Sequence, residues 1–402
     1  MASQIRYIDL FAGCGGISLG FYNAGLEGIF AVEKNVDAFT TLQYNLINTH
    51  SHFEWPEWLS LKNWNIYDLL TEKANELLEL RGHVDLVVGG PPCQGFSVVG
   101  QRRESDTRNK LIHAYLDFIE IIQPRAIMFE NVRGFTISFN SAENRNKISY
   151  SEILLKKLNA LGYADARGEV IDFSEYGVPQ RRQRFILIAS REGLANDIWS
   201  HLEQNREKFL SARGLQVKNS THTALSDLEY KHGTVECPDS KRFMSGISTP
   251  PQNNFQRYLH RSDKKDSVPD SHRFVNHTPE IIDVFNCLLE SAPRNKRIYG
   301  EERIKYNVKK RNVTVLDPEE PALTITTIPD DFVHYSESRV MTVRECARLQ
   351  TFPDWFEFKG RYTTGDKRRA RQVPRYTQVG NAVPPLFAEQ LGLAIKKVLA
   401  DD

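Results

Sequence analysis

In the first half of the chain, short apolar runs rich in β-forming residues alternate with helical patterns, a rhythm that few architectures accommodate. The runs are Tyr7-Ile8-Asp9-Leu10-Phe11, Ile29 to Val32, Val84 to Val88, Ala126 to Phe129 and Phe185 to Ala189. Between the third and fourth, Leu111, Ile112, Tyr115, Leu116, Phe118, Ile119 and Ile122 recur at helical spacing until Pro124 stops the pattern. Helices are also predicted over Val36 to Asn48, Thr71 to Leu80 and Ser151 to Leu161, the last closed by Gly162. Strand-helix alternation of this kind predicts an α/β, Rossmann-like sheet domain with helices packed on the sheet. From about Arg191 to about Tyr335 the rhythm gives way to polar sequence rich in His, Asn, Ser and Arg, which predicts a separate, smaller and irregular module. Regular structure returns at Thr342 to Leu349 and at Leu386 to Leu399, the latter preceded by Pro384-Pro385. At 402 residues the chain has room for one large core and one smaller module.

Composition narrows the function class. Hydrophobics at 40% and charged residues at 26% describe an ordinary globular protein, and no long apolar run or leader pattern is present, so a cytoplasmic protein without membrane contact is expected. Cys14, Cys93, Cys237, Cys287 and Cys346 lie far apart without CxxC or Cys/His ligand spacing, so neither a metal site nor a disulfide framework is expected. The net charge of +1 conceals two basic stretches, Arg294 to Arg311 and Lys359 to Arg375, either of which could follow a phosphate backbone or simply face solvent.

Two loops carry chemistry. Asp9-Leu10-Phe11-Ala12-Gly13-Cys14-Gly15-Gly16 follows a strand and opens a helix, so its glycines allow backbone to approach a ligand. Glu33, at the carboxyl end of the second strand, is placed to hold the ribose hydroxyls of a nucleoside cofactor. The turn lacks the GxGxxG pattern of a dinucleotide fold, which disfavours an NAD-dependent dehydrogenase. The second loop, Gly89-Gly90-Pro91-Pro92-Cys93-Gln94-Gly95-Phe96-Ser97, sets a cysteine in a stiff turn at the carboxyl end of a strand, where ligand chemistry of open α/β sheets collects. Cys93 is therefore read as a nucleophile in preference to a small buried hydrophobe. Glu130, in Phe129-Glu130-Asn131-Val132 at the end of the next strand, becomes a candidate acid, and Gln180-Arg181-Arg182-Gln183-Arg184 brings guanidinium donors toward the same rim.

In their order along the chain, Asp9 to Gly16, Glu33, Pro91-Pro92-Cys93-Gln94, Glu130-Asn131-Val132, Gln180 to Arg184, Arg344 to Gln350 and Gln378-Val379-Gly380-Asn381-Ala382-Val383-Pro384 resemble the successive motifs of the cytosine-C5 DNA methyltransferases of bacterial restriction-modification systems. The resemblance covers residues 5 to about 190 and about 339 to 396. It implies an S-adenosylmethionine-dependent methyltransferase acting on double-stranded DNA as a monomer. The catalytic and cofactor-binding domain would be residues 1–190 completed by 376–402, and a target-recognition domain with its scaffold motif would be 191–375.

Carbon 5 of cytosine is a poor nucleophile. Thiolate addition at carbon 6, with a carboxyl group at ring nitrogen 3, turns the base into an enamine that can take a methyl group. The resemblance gives Cys93 and Glu130 these parts and has Arg182 and Arg184 orient base and glutamate. The cofactor pocket would comprise Phe11, Gly13, Gly15, Glu33, Asn65, Ile66, Pro91, Leu111, Asn381 and Val383. Because the base is stacked in duplex DNA it must flip out, and Val98 to Arg108 is the segment expected to close over it.

The sequence departs from the family pattern at Lys34, where an apolar residue is usual, and at Trp64-Asn65-Ile66, where Asp-Ile is common. Either Asn65 or Asp68 could then meet the adenine amino group. A tRNA cytosine methyltransferase on the same scaffold is the alternative. The long 191–339 interval and the missing Cys-Phe-Thr tripeptide of that branch argue against it, as the complete Cys93, Glu130 and Arg184 set argues against an inactive DNA-binding regulator.

Overall fold

The computed structural model describes residues 4–92, 109–140, 147–260, 268–310, 312–363 and 372–401. Contacts divide the chain into two units, one of Met1–Asp172, Gln183–Arg206 and Ala388–Asp402, the other of Phe173–Arg182 and Glu207–Phe387.

The first unit is built on a six-stranded mixed sheet. Its strands are β1 (Arg6–Leu10), β2 (Glu27–Val32), β3 (Leu86–Gly89), β4 (Ala126–Val132), β5 (Arg167–Asp172) and β6 (Gln183–Ser190), in the order β2-β1-β3-β4-β6-β5. The first four run parallel, so Phe11, Glu33, Gly90 and the Glu130 end of β4 all lie along one edge. β6 runs antiparallel to β4, with Arg184 opposite Val132, so the beginning of β6 reaches that same edge. The five apolar runs read from the sequence are the five strands β1 to β4 and β6. β5 is an additional strand, antiparallel to β6 at the sheet's border.

The helices between these strands are α1 (Gly16–Ala24), α2 (Val36–Leu42), α3 (Ile66–Glu72), α4 (Ala74–Glu79), α5 (Asn109–Ile122) and α6 (Tyr150–Ala160). α2 passes into a π-helical turn over Gln43–Thr49, and the expected helix over Thr71 to Leu80 is broken at Lys73, where φ is −123°. Ser149 and Glu152 form a reciprocal capping box that starts α6. Ile8, Leu10, Val87, Ile127 and Phe129 on the strands meet Tyr115, Phe118 and Ile119 of α5 in one buried cluster, with Phe11 and Leu111 packed at its margin.

Close packing of α1 depends on Gly20. A methyl group there would lie 2.4 Å from Cβ of Ala388 and 2.6 Å from the amide nitrogen of Glu389. Gly20→Ala is expected to destabilise the first unit by about 1–3 kcal/mol through overpacking, read as a lower urea midpoint. An unchanged midpoint would mean that this contact is soft.

The second unit takes in only the carboxyl end of helix α7 (Ala195–Ser211). It continues through α8 (Pro279–Ser291), a small sheet of β7 (Ile298–Tyr299), β8 (Asn312–Val315) and β9 (Phe332–Val333), and helices α9 (Val343–Leu349) and α10 (Arg375–Asn381). The last helix, α11 (Pro385–Asp401), carries the chain back into the first unit. α9 is buried along its whole length, and Thr342 and Glu345 close a second capping box at its start. Its arginines are internal ties. Arg344 donates to the carbonyls of Asp270 (2.8 Å), Pro353 (3.0 Å) and Phe356 (2.6 Å), while Arg348 binds both Asp227 and Asp354. Arg375 is likewise held by Asp239 at 2.7 Å and by the Ser271 hydroxyl at 3.0 Å. Among the described residues, no helix is long and apolar enough to cross a membrane.

Candidate active site

The glycine turn after β1 is a left-handed segment. Phe11 has φ +59°, Gly13 +58° and Gly15 +95°, and only glycine enters this region without strain. The Ala12 amide donates to the Val32 carbonyl at 3.0 Å, so the turn leans on the end of β2. There Glu33 ties the two strand ends together. Its Oε2 accepts the Gly13 N–H at 2.9 Å and its Oε1 accepts the Asn35 N–H at 2.6 Å. Burial pushes the Glu33 carboxyl up, and the N–H donors of Asn35, Gly13 and Lys34 act against that shift. Both oxygens retain acceptor capacity for a pair of hydroxyls. A Cβ placed on Gly13 would meet nothing within 4 Å, so the turn borders open space. These are properties that fit the ribose end of a nucleoside cofactor.

Ile66 is buried in the core at the start of α3, and Asn65 caps that helix through a 3.3 Å bond from the Tyr67 N–H. Asp68 and Lys34 are both exposed, and the Lys34 carbonyl accepts from Asn63 at 2.8 Å. Leu111 stands half-buried on the first turn of α5. Asn381 ends α10 exposed and Val383 is buried just beyond it, both in the second unit.

Around the end of β3, two glycines sit in crowded surroundings. A Cβ on Gly89 would lie 2.8 Å from the Tyr115 ring and 3.1 Å from the Leu10 carbonyl. On Gly90 it would lie 2.8 Å from Oε2 of Glu130. The buried Asn131 side chain donates to the carbonyl of Pro91 at 3.3 Å. The end of β4 therefore holds the backbone at Pro91, two residues ahead of Cys93. Cys93 itself, with the rest of 93–108 and so the expected closing segment Val98 to Arg108, lies outside the described residues.

Glu130 is paired. Nε of Arg184 stands 3.1 Å from its Oε1, and each side chain is only 14% exposed. Burial lowers the Arg184 guanidinium below its ordinary value, opposed by the Glu130 charge and hydrogen bond. Of the three arginines in the Gln180 to Arg184 motif, Arg182 and Arg184 have separate placements. Arg184 joins Glu130 in the first unit, whereas Arg182, 1% exposed, donates to the carbonyls of Ile325 (3.2 Å) and Gly380 (2.8 Å) in the second. Sequence reasoning treated these arginines as equivalent, and it gave no separate part to Asn131, whose grip on Pro91 follows from its outward neighbour Glu130 and the strand's two-residue period.

The profile of the C-5 cytosine-specific DNA methylases matches residues 5–397. The chain belongs to that family. The type II methyltransferase M.DdeI of Desulfomicrobium norvegicum is 30% identical to this methylase over 96% of the chain and 87% of its own length. M1.HphI of Haemophilus parahaemolyticus is 28% identical over 98% and 87%. Among solved structures, one described as a DNA modification methyltransferase encoded within a prophage of E. coli superposes with a TM-score of 0.65 at 24% identity, covering 98% of this chain and 99% of that one. The S. pombe Dnmt2 methyltransferase gives 0.52 at 15% identity over 98% of each chain, a likeness of fold. This methylase is thus a cytosine-C5 DNA methyltransferase of the type II restriction-modification class, and its family uses S-adenosylmethionine as methyl donor.

Proposed function

We propose that the methylase works through Cys93 as nucleophile and Glu130 as its partner at ring nitrogen 3 of a flipped-out cytosine. The observation that carries this reading is the partly buried Glu130–Arg184 pair, set against the Gly90-Pro91 backbone that leads directly into Cys93. Cys93 adds to carbon 6, Glu130 holds or delivers the proton at nitrogen 3, and Arg184 keeps the glutamate in register. Arg182 acts from further back, by fixing the segment that leads into the strand carrying Arg184. Phe11, Gly13, Gly15, Glu33, Asn65, Ile66, Pro91 and Leu111 hold S-adenosylmethionine, with Glu33 on the ribose hydroxyls. Asn381 and Val383 join them by family resemblance. The bound cofactor supplies an electrophilic methyl group. Residues 1–190 with 376–402 form the catalytic domain and 191–375 the target-recognition domain, the whole acting as a cytoplasmic monomer that protects host DNA from a cognate restriction enzyme.

Tritiated methyl transfer to duplex DNA and to tRNA, followed by bisulfite sequencing of a methylated plasmid, tests this reading. Transfer to cytosine in a defined duplex sequence is expected, and transfer to tRNA alone would overturn it. Glu130→Gln is expected to lower kcat by roughly 10²–10⁴-fold, since it removes the group that exchanges a proton with the base. A rate within threefold of wild type would take Glu130 out of the mechanism.

A further inference from the structure

Within the second unit, Leu288, Ile298, Val313 and Val315 centre a small apolar cluster of their own. β7 and β8 pair across it antiparallel, with Ile298 opposite Val313 and Tyr299 opposite Asn312. The connection that leaves Tyr299 is pinned from within. Arg303 donates to the carbonyls of Gly300 (3.3 Å) and Lys310 (2.7 Å), the Val308 N–H bonds the Arg303 carbonyl at 2.9 Å, and buried Tyr306 reaches the Ser291 carbonyl at 3.2 Å.

This hairpin, whose connection includes the one-turn helix Glu302–Lys305, displays two large apolar side chains to solvent. Tyr299 is 63% exposed and Ile304 79%, the highest value among the described large hydrophobics. One exposed isoleucine is ordinary surface. Here, however, the segment 294–310 carries seven basic residues against two acidic ones in a chain whose net charge is +1. The structure also sorts those basic residues. Arg294 and Arg303 are spent on internal carbonyls, and Lys310 is paired with Asp330 at 2.5 Å, while Lys296, Arg297, Lys305 and Lys309 are exposed. An element of two short paired strands and the one-turn helix Glu302–Lys305, with exposed apolar side chains and cationic ones around them, suits the major groove of duplex DNA, which admits a helix or a β-ribbon and offers thymine methyl groups between two phosphate rails.

We propose that Tyr299 and Ile304 read base edges in the methylase's target sequence, while Lys305 and Lys309 hold the flanking phosphates. The proposal rests on the chain acting on duplex DNA, and adds which side chains set the sequence. The segment Thr324-Ile325-Thr326-Thr327 is a poorer candidate for this role, because Ile325 is buried and its N–H is bonded to Gln180 at 2.8 Å.

The test compares wild type, Ile304→Ala, Tyr299→Ala and Lys305→Gln/Lys309→Gln on a plasmid library by bisulfite sequencing, with DNA affinity measured across a salt series and Tm measured for each variant. Ile304→Ala and Tyr299→Ala are expected to keep the wild-type Tm and salt slope and to lose roughly tenfold in preference at one or two positions of the site. The lysine pair should weaken binding evenly across sequences and flatten the salt slope by about 2. If wild type modifies a defined site and both apolar variants retain its full preference, the hairpin does not read bases, although the methyltransferase reading stands. If wild type methylates no DNA, both fall together.

Discussion

Cys93→Ser will reduce methyl transfer on the order of 10⁴-fold or more while leaving DNA binding in place. A serine hydroxyl at this position cannot form the anion that a thiol forms readily, so covalent addition to carbon 6 fails, and without it carbon 5 stays too poor a nucleophile. Of the four described cysteines, Cys14, Cys237 and Cys346 are buried and offer no substitute. Burial pushes the Cys14 thiol up to about 12 and raises that of Cys346 as well, so both remain protonated. Buried Cys237 donates to Asp239 at 3.2 Å. Tritium transfer and filter binding on the same preparation check the prediction. Residual transfer within a hundredfold of wild type would point to another nucleophile.

Arg348→Met will destabilise the second unit by about 3–5 kcal/mol. Arg348 is fully buried, and its guanidinium bridges Asp227 (2.9 Å to each carboxylate oxygen) and Asp354 (2.6 and 2.8 Å), so its removal strands the buried Asp227 carboxylate and leaves Asp354 with His260. Replacing all three together, as Arg348→Met/Asp227→Leu/Asp354→Leu, should recover most of the loss, because the apolar set leaves no charge uncompensated. The same network fixes a pH dependence. Burial would raise the Asp354 carboxyl, but Arg348 and His260 outweigh it and hold the group well below the usual carboxylate range. Arg339 does the same for Glu345 against the effect of burial. A folded-state value below the unfolded value of about 4 gives stability that is complete above roughly pH 5 and lost as pH falls through and below 4. Urea unfolding of wild type and variants between roughly pH 3 and 7, which takes in the plateau and the upper part of that loss, measures both effects. A loss under 1 kcal/mol for Arg348→Met, less than the cost of one stranded buried charge, would contradict the account.

These two predictions mark what the sequence could and could not convey. Strands β1 to β4 and β6 were legible because each is an apolar run buried in the sheet. β5 was not, because its residues Arg167-Gly168-Glu169-Val170-Ile171-Asp172 pair on one side only and keep polar side chains at the border. Gly168 is small there because the Phe185 ring lies against it, a cross-strand fact without local signature. The rim was legible for a related reason: parallel strands deliver their carboxyl ends to one edge, so Glu33 and Glu130 could be placed from strand order alone. The arginines were harder. Arg294 and Arg375 read as parts of basic stretches, yet both serve as internal ties, since their partners lie 22 and 41 residues away for Arg294 and 104 away for the Arg375–Ser271 bond. The division between Arg182 and Arg184, two residues apart on a strand, depends equally on what the fold brings to each.

Covalent attack by Cys93 is the claim on which the rest depends. Duplex DNA in which cytosine is replaced by 5-fluorocytosine tests it most directly, because release of the enzyme requires loss of the carbon 5 proton and fluorine cannot leave in its place. With S-adenosylmethionine present, wild type should form a protein–DNA complex that survives denaturation and carries one added methyl group, and Cys93→Ser should form none. Normal methylation of ordinary DNA with no trapped complex on the fluorinated duplex would contradict the mechanism.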